Sequence, residues 1–416
     1  MESRLDECWL EAFGSDSLNL DDSTSKSTPR VSRRAKGISP FHVMDILARA
    51  KALEQQGRNI IHLEIGEPDF PTPEPVIRAA TEAIQTGNVH YTPALGLPQL
   101  RQAIAAFYAS RYQVDIAAER IAVTPGASGA LLLALGATLD AGDEILLADP
   151  GYPCNRHFAF FINAVPIAVP VDAGTAFQLT VELVEKHWTP RTRAVLLASP
   201  SNPVGTLVRS EDIVAIARLC VARNAVLIVD EIYHGLVYDT SPQTALALSD
   251  QVFVVNSFSK YFHMTGWRVG WLAAPEWAMG AIERLAQNLY LAPPTPAQFG
   301  ALAAFGEENI AILEARRLEM KLRRDFLAPA LTALGFDLPV LPQGAFYLYA
   351  DVSRFTQDSF AFAQRLLNEA GVAVTPGLDF GAVLPERYVR FAYTQPMPVL
   401  QEAVGRLAVF LKSRVA

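Results

Sequence analysis

Lys260 closes an apolar run and is surrounded in sequence by Ser257, Phe258, Ser259, Tyr261 and Phe262. Burial among such neighbours lowers the pKa of an amine, and a depressed pKa makes an amine that can attack a carbonyl. Schiff-base chemistry with pyridoxal phosphate requires such a lysine. It also requires an anion facing the pyridine nitrogen, which keeps that ring protonated and electron-withdrawing. Asp230 is the natural anion: it ends the run Ala225-Val226-Leu227-Ile228-Val229, and a carboxylate at the mouth of a buried strand calls for a cationic partner. Tyr233, three residues on, and Asn202, between Pro200 and Pro203, could direct a hydroxyl and an amide at the cofactor's phenolic oxygen. Backbone N–H groups for a phosphate are on offer where Thr124-Pro125-Gly126-Ala127-Ser128-Gly129 opens a helix. Ser257 and Arg268 add a hydroxyl and a guanidinium for the same group. Tyr152, after Asp149-Pro150-Gly151, could stack on the pyridine face. Each residue also has a plainer reading when taken alone, as a solvated lysine, a turn-capping aspartate, a bare helix N-terminus or a packed aromatic. Their arrival at neighbouring strand ends argues for one site.

Those strand ends follow from an alternating pattern. Helical periodicity over 39–56, 74–85, 97–111 and 127–139 is interleaved with short apolar runs at 60–65, 144–148, 194–198, 225–229 and 252–256. Strands alternating with helices predict a parallel or mostly parallel sheet covered on both faces, with ligands outside the carboxyl ends of its strands. Four loops, beginning at Asp149, Ser199, Asp230 and Ser257, converge on that rim. Residues 294–416 open with a long helical pattern and then show strand-like runs at 344–349 and 388–391, which predicts a smaller α+β unit. Residues 1–37, mostly polar with an apolar cluster only around Trp9, Leu10 and Phe13, read as a flexible extension or as a segment that docks on a partner subunit. No internal repeat shows, which disfavours solenoids and propellers.

Composition excludes several classes. Half of the 416 residues are hydrophobic and 19% are charged, so there is ample material for a large core and none of the signature of disorder. The 35 basic residues are scattered within a net charge of −8 and leave no nucleic-acid footprint. The three cysteines, Cys8, Cys154 and Cys220, are too few and too far apart for a disulfide framework or a zinc site, and no metal site is expected. Apolar runs fall short of a membrane span, and the acidic N-terminus does not read as a secretory signal. A cytoplasmic protein acting on small molecules is the expectation.

Three motifs in fixed order carry a resemblance: Ser199-Pro200-Ser201-Asn202-Pro203-Val204-Gly205, Asp230-Glu231-Ile232-Tyr233, and Ser257-Phe258-Ser259-Lys260 running on to Thr265-Gly266-Trp267-Arg268-Val269-Gly270. From about Ser39 onward the chain resembles a fold-type I pyridoxal-phosphate enzyme of the class I/II aminotransferase family, related to aspartate aminotransferases. The resemblance implies a large α/β domain, 71–293, with a mostly parallel seven-stranded sheet. It also implies a small α+β domain formed by 38–70 together with 294–416. It implies that Lys260 forms the internal aldimine, that Asp230 pairs with the pyridine nitrogen, that Asn202 and Tyr233 reach the phenolic oxygen, and that Tyr152 stacks. Gly126, Ala127, Ser128, Ser257, Ser259 and Arg268 would hold the phosphate, joined by Tyr91 of a second subunit in a homodimer with composite sites. Arg390, in Tyr388-Val389-Arg390-Phe391, would grip the substrate α-carboxylate with Gly66 and Asn202. Lys260, once displaced by the amino acid, would carry its α-proton, and the reaction would run as two ping-pong half-reactions between an amino acid and a 2-oxo acid. No second arginine occupies a matched position, and Ile38, Phe41 and Phe346 are the apolar candidates near the pocket. A neutral or aromatic amino donor is therefore expected, with 2-oxoglutarate or pyruvate as acceptor. The same scaffold supports a β-eliminating C–S lyase. A non-catalytic cofactor-sensing regulator is the remoter alternative.

Overall fold

A computed structural model describes residues 30–412. The chain divides into two compact units, 1–39 and 40–416. In the first, the described residues hold the short helix Arg33–Gly37, whose N-terminus is capped by the Ser32 hydroxyl accepting from the Ala35 N–H. The remainder of the expected extension, including Trp9, Leu10 and Phe13, lies outside the described residues.

The second unit begins with the helix His42–Gln55, three residues later than periodicity suggested. Phe41 at its N-cap offers no side-chain acceptor. The Asp379 carboxylate, distant in sequence, accepts from the first two N–H groups at 2.7 and 2.8 Å instead. The expected strand over 60–65 shortens to β1 (Ile61–His62), which pairs in parallel with a strand more than 300 residues away, at Val372–Ala373. Leu63 then turns its N–H to Ala373 and its carbonyl to Ala392.

Seven strands form the central sheet: β2 (Ile121–Thr124), β3 (Glu144–Asp149), β4 (Val165–Pro170), β5 (Thr192–Ala198), β6 (Val226–Asp230), β7 (Val252–Ser257) and β8 (Gly270–Ala273). Their order is β2-β8-β7-β6-β5-β3-β4, and β8 alone runs against the rest. The mostly parallel seven-stranded sheet is thus present. Four of its strands match the apolar runs read from sequence. β2 and β8 were missed because four residues are too few to show a period, and β4 because Pro166 and Pro170 interrupt it. Proline is tolerated there because β4 is an edge strand.

Alternation explains why the central strands are apolar throughout. Val195, Leu197, Leu227, Val229, Val252 and Val254 enter one core, while Ala194, Leu196, Ile228, Phe253 and Val255 enter another on the opposite face. The C-terminal part contributes β9 (Tyr347–Asp351), β10 (Val372–Ala373), β11 (Thr375–Pro376) and β12 (Tyr388–Ala392). β11, β12 and β9 form an antiparallel three-stranded sheet. Among the described residues no helix is long and apolar enough to cross a membrane.

Candidate active site

A cleft of about 410 Å³ opens beyond the carboxyl ends of β5, β6 and β7. Lys260 reaches it from the turn after β7. That turn is fixed by Phe258, fully buried against Phe262, Trp271 and Phe305 with ring centroids 4.8 to 5.4 Å apart. The Lys260 Nζ donates to the Gly66 carbonyl at 2.6 Å. Burial lowers its pKa to about 8. The Glu67 and Asp230 carboxylates oppose that shift, while the Arg390 and Arg268 guanidiniums reinforce it. At pH 7 about one amine in ten is then neutral, against roughly one in three thousand for an unshifted lysine. Uptake of pyridoxal phosphate by the cofactor-free protein is accordingly expected to accelerate as pH rises toward about 8, because the neutral amine is the attacking form, and to level off above it. A loading rate independent of pH across that window would contradict a shifted amine.

Asp230 is the last residue of β6 and is 6% exposed. Burial pushes its carboxyl up to about 6, against the Ile232 N–H that donates to Oδ1 at 3.0 Å and the attraction of Lys260. Among the described residues no ion pair satisfies it, so a cationic group is the partner its chemistry lacks. Tyr233 is buried nearby, its hydroxyl 2.8 Å from that of Tyr347. Tyr152 stands at the N-cap of the helix Pro153–Phe161 and forms part of the same wall.

One end of the cleft is the N-terminus of the helix Gly126–Thr138. Its N-cap, Pro125, supplies no side-chain acceptor, so the first N–H groups, at Ala127 and Ser128, remain available to an anion. Gly126 has φ +71°, and a Cβ there would come within 2.5 Å of the Arg268 guanidinium. The helix start and Arg268 therefore form a cradle that only glycine leaves open. Arg268 donates to the Thr265 carbonyl at 2.9 Å and to the Ser259 hydroxyl at 3.4 Å. Ser257 does not reach the cleft: it is 1% exposed, and its Oγ lies behind Ser259, 2.9 Å from that hydroxyl. The resemblance pairs both Ser257 and Ser259 with the phosphate; the fold places Ser259 on the cleft wall and Ser257 behind it as its support.

Arg390 projects from β12 and is 4% exposed. Its Nη1 donates to Asn202 Oδ1 at 2.8 Å and its Nη2 to the Glu64 carbonyl at 2.6 Å. Because guanidinium only donates, Asn202 must present its oxygen here, which leaves its amide NH₂ free to donate into the cleft. Tyr347 and Phe380 flank the guanidinium, their ring centroids 4.2 and 4.9 Å from its central carbon. Nε is buried without a partner, and no carboxylate pairs with Arg390 among the described residues. A buried cation with a vacant donor and no counter-ion is a receptor for an incoming carboxylate.

Of the residues singled out by sequence, the cleft wall gathers Gly66, Ala127, Ser128, Tyr152, Asn202, Asp230, Tyr233, Ser259, Lys260, Arg268 and Arg390. Gly126 borders it through Arg268. Tyr91 is 83% exposed and does not line the cleft of its own chain. Phe346, expected in the pocket, is instead fully buried beneath Lys260, and its neighbour Tyr347 lines the cleft. Ile38 falls in the separate N-terminal unit. Sequence reasoning also missed Ile232, Glu67 and Thr265, the last two joined by a hydrogen bond between Thr265 Oγ1 and Glu67 Oε1. Ile232 and Thr265 lie inside the quoted motifs and Glu67 follows Gly66, yet nothing in their residue types distinguishes a cleft position from an ordinary loop position.

Comparison with known proteins points the same way. The family model for aminotransferase class I and II matches residues 58–407. A valine–pyruvate aminotransferase of Mycobacterium tuberculosis is 40% identical over 389 residues, 93% of this chain and 100% of that protein. An aspartate aminotransferase of Thermotoga maritima is 36% identical, over 92% of this chain and 100% of that protein. The crystal structure of an aminotransferase from Mycobacterium tuberculosis superposes with a TM-score of 0.90 at 40% identity, covering 93% of this chain and 100% of that one. The geometry of Lys260, Asp230 and the Gly126–Arg268 cradle fits the cofactor that such enzymes use, and the chain belongs to the pyridoxal-phosphate-dependent aminotransferases of class I and II.

Proposed function

We propose that this aminotransferase moves the amino group of a neutral or aromatic L-amino acid to 2-oxoglutarate or pyruvate in two ping-pong half-reactions. The observation that carries the proposal is the wall facing the catalytic groups. It is built from Phe41 at the N-cap of the helix His42–Gln55, from Val43, Met44 and Leu47 of that helix, and from Leu131 and Phe158, and it holds no cation. The cleft's three cations are Lys260, Arg268 and Arg390, each already given a task by its neighbours. An apolar side chain is desolvated favourably against such a wall, at about 25 cal/mol per Å² buried, whereas a second carboxylate would lose its water without a partner. A relative at 40% identity bears the name valine–pyruvate aminotransferase, which accords with this reading.

Pyridoxal phosphate, when bound, supplies an electron sink that acidifies the α-carbon of the amino acid. In the proposed reaction Arg390 fixes the α-carboxylate with its fork and its free Nε, helped by Asn202 and the Gly66 backbone. Asp230 keeps the ring nitrogen protonated. Asn202 and Tyr233 donate toward the phenolic oxygen. Lys260 would bond to the cofactor at rest, and its amine, with the lowered pKa of a base active near neutral pH, would take the α-proton and deliver it across the nitrogen to the cofactor side. Tyr152 covers the ring. Gly126, Ala127, Ser128, Ser259 and Arg268 would hold the phosphate, with Ser257 behind them and Tyr91 of the partner subunit completing the cradle. The exposure of Tyr91 in one chain supports that last role and with it a homodimer. The proposed domain division remains 38–70 with 294–416 around a cofactor domain of 71–293. The pairing of β1 with β10 supports it. Action on free amino acids in the cytoplasm accords with the whole.

The test is product identification with purified, cofactor-loaded protein, a panel of amino donors and both acceptors. Valine, leucine or phenylalanine is expected to outpace aspartate by at least about 10-fold, the order of one desolvated, unpaired carboxylate. A preference for aspartate would overturn the substrate assignment, and pyruvate with ammonia released from cystathionine would overturn transamination itself.

A further inference from the structure

Tyr347 has no role in the scheme above, yet its side chain touches three of that scheme's parts. Its hydroxyl lies 2.8 Å from the hydroxyl of Tyr233. Its ring lies under the Arg390 guanidinium at 4.2 Å. Its hydroxyl also fills the space that a side chain at Gly66 would need, and the Gly66 carbonyl holds the Lys260 amine at 2.6 Å. The phenol is 1% exposed and forms part of the cleft wall.

A tyrosine hydroxyl has one proton to give. If Tyr233 gives its proton to the cofactor's phenolic oxygen, as proposed above, its own oxygen becomes the acceptor in the 2.8 Å pair and Tyr347 the donor. We infer that Tyr347 is a positioning residue that tunes the cofactor through Tyr233, in a directed relay from the Tyr347 hydroxyl to the Tyr233 hydroxyl to the phenolic oxygen. A donor that is itself receiving a hydrogen bond gives a stronger one, by roughly 10–30% per link. The stronger donation draws negative charge from the phenolic oxygen, and that charge is what holds the proton on the adjacent Lys260–cofactor nitrogen. Tyr347 therefore lowers the pH at which that nitrogen loses its proton, and hence the pH at which the near-visible absorbance of the loaded enzyme changes. Other groups facing the pair are Arg390 from β12, Tyr152 from the turn after β3, Asp230 at the end of β6 and Lys260 in the turn after β7. All four are unchanged in the variants below.

The inference rests on the proposed cofactor site, and one spectroscopic titration separates the two. Wild-type protein loaded with pyridoxal phosphate is expected to show a near-visible band that titrates with pH; without such a band the site assignment fails first. Given the band, Tyr347→Phe is expected to raise its midpoint by roughly 0.2–0.6 of a pH unit. Tyr233→Phe is expected to raise it further, since it removes the direct donor. Phenylalanine keeps the ring contact with Arg390, so the KM of Tyr347→Phe for the amino acid is expected to stay within about twofold of wild type. Tyr349→Phe alters another buried phenol on the same strand, outside the cleft, and is expected to leave the midpoint in place. In a Tyr233→Phe background, Tyr347→Phe is expected to add no further shift, because the relay is already broken. An unmoved midpoint in the single variant, or an undiminished shift in the double variant, would overturn the inference.

Discussion

Replacing Lys260 with alanine is expected to abolish both turnover and the near-visible absorbance of the loaded enzyme, while leaving a folded protein that still holds pyridoxal phosphate. Two losses combine. The variant has no amine to bond the cofactor's aldehyde, and no base 2.6 Å from the Gly66 carbonyl to carry the α-proton. General-base removal alone costs about 10²–10⁴-fold, and losing the covalent attachment as well puts the fall in kcat at the upper end of that range or beyond. The cradle at Gly126, Ser128, Ser259 and Arg268 is untouched, so equilibrium dialysis is expected to find the cofactor bound without its covalent signature.

Stability gives an independent check on the same variant. A lysine whose pKa falls from 10.5 to about 8 on folding binds its proton more weakly in the native state. It therefore penalises folding fully below about pH 8, and the penalty fades as pH rises toward 10.5. The cost is at most about 3 kcal/mol, reduced by whatever water reaches the amine. Cofactor-free Lys260→Ala is accordingly expected to melt at or above the wild-type temperature at pH 7, with the difference shrinking by pH 10. A variant that turns over, keeps the band, or melts far below wild type would place Lys260 outside the site.

The difference between Lys260 and Tyr347 shows what a sequence makes legible. Lys260, Asp230 and Asn202 were visible because a charged or amide group at the end of an apolar run is costly unless a partner awaits it, and their spacing repeats a family's pattern. The central strands were visible for the same reason that they are buried on both faces: an unbroken apolar run such as Ala225-Val226-Leu227-Ile228-Val229 has few other stable homes. Tyr347 carried no such signal. A tyrosine beside a phenylalanine reads as core, and only the fold, which sends Phe346 beneath Lys260 and Tyr347 to the cleft wall, decides which ring meets the cleft. That Ser259 meets the cleft while Ser257 sits behind it has the same origin, since two serines on either side of Phe258 are equivalent until the turn after β7 is built. Long-range caps were equally hidden: the Asp379 carboxylate on the His42–Gln55 helix joins positions 336 and 337 residues apart. The apolar wall that carries the substrate proposal hangs on that helix, and no local pattern foretells its anchor.

Replacing Arg390 with leucine is expected to lower kcat/KM for amino acids by about 10²–10⁴-fold, chiefly through KM. A carboxylate received by a buried guanidinium gains two charge-assisted hydrogen bonds of about 1.5–3 kcal/mol each, with little competition from water. The guanidinium is built for that exchange. Its Nη1 and Nη2 are steered by Asn202 and the Glu64 carbonyl, its faces are held between Tyr347 and Phe380, and its Nε is left over. Lysine cannot restore the arrangement, because one ammonium offers neither the planar fork nor the stacked face, so Arg390→Lys is expected to recover little of the loss. A discriminating measurement pairs an amino acid with the amine that lacks its carboxylate. Wild type is expected to prefer the amino acid by at least the factor that the mutation removes, and Arg390→Leu to treat the two alike, with reactivity toward the simple amine nearly unchanged. If Arg390→Leu keeps the wild-type preference, the carboxylate binds elsewhere, and the orphaned Nε at the base of the cleft needs another explanation.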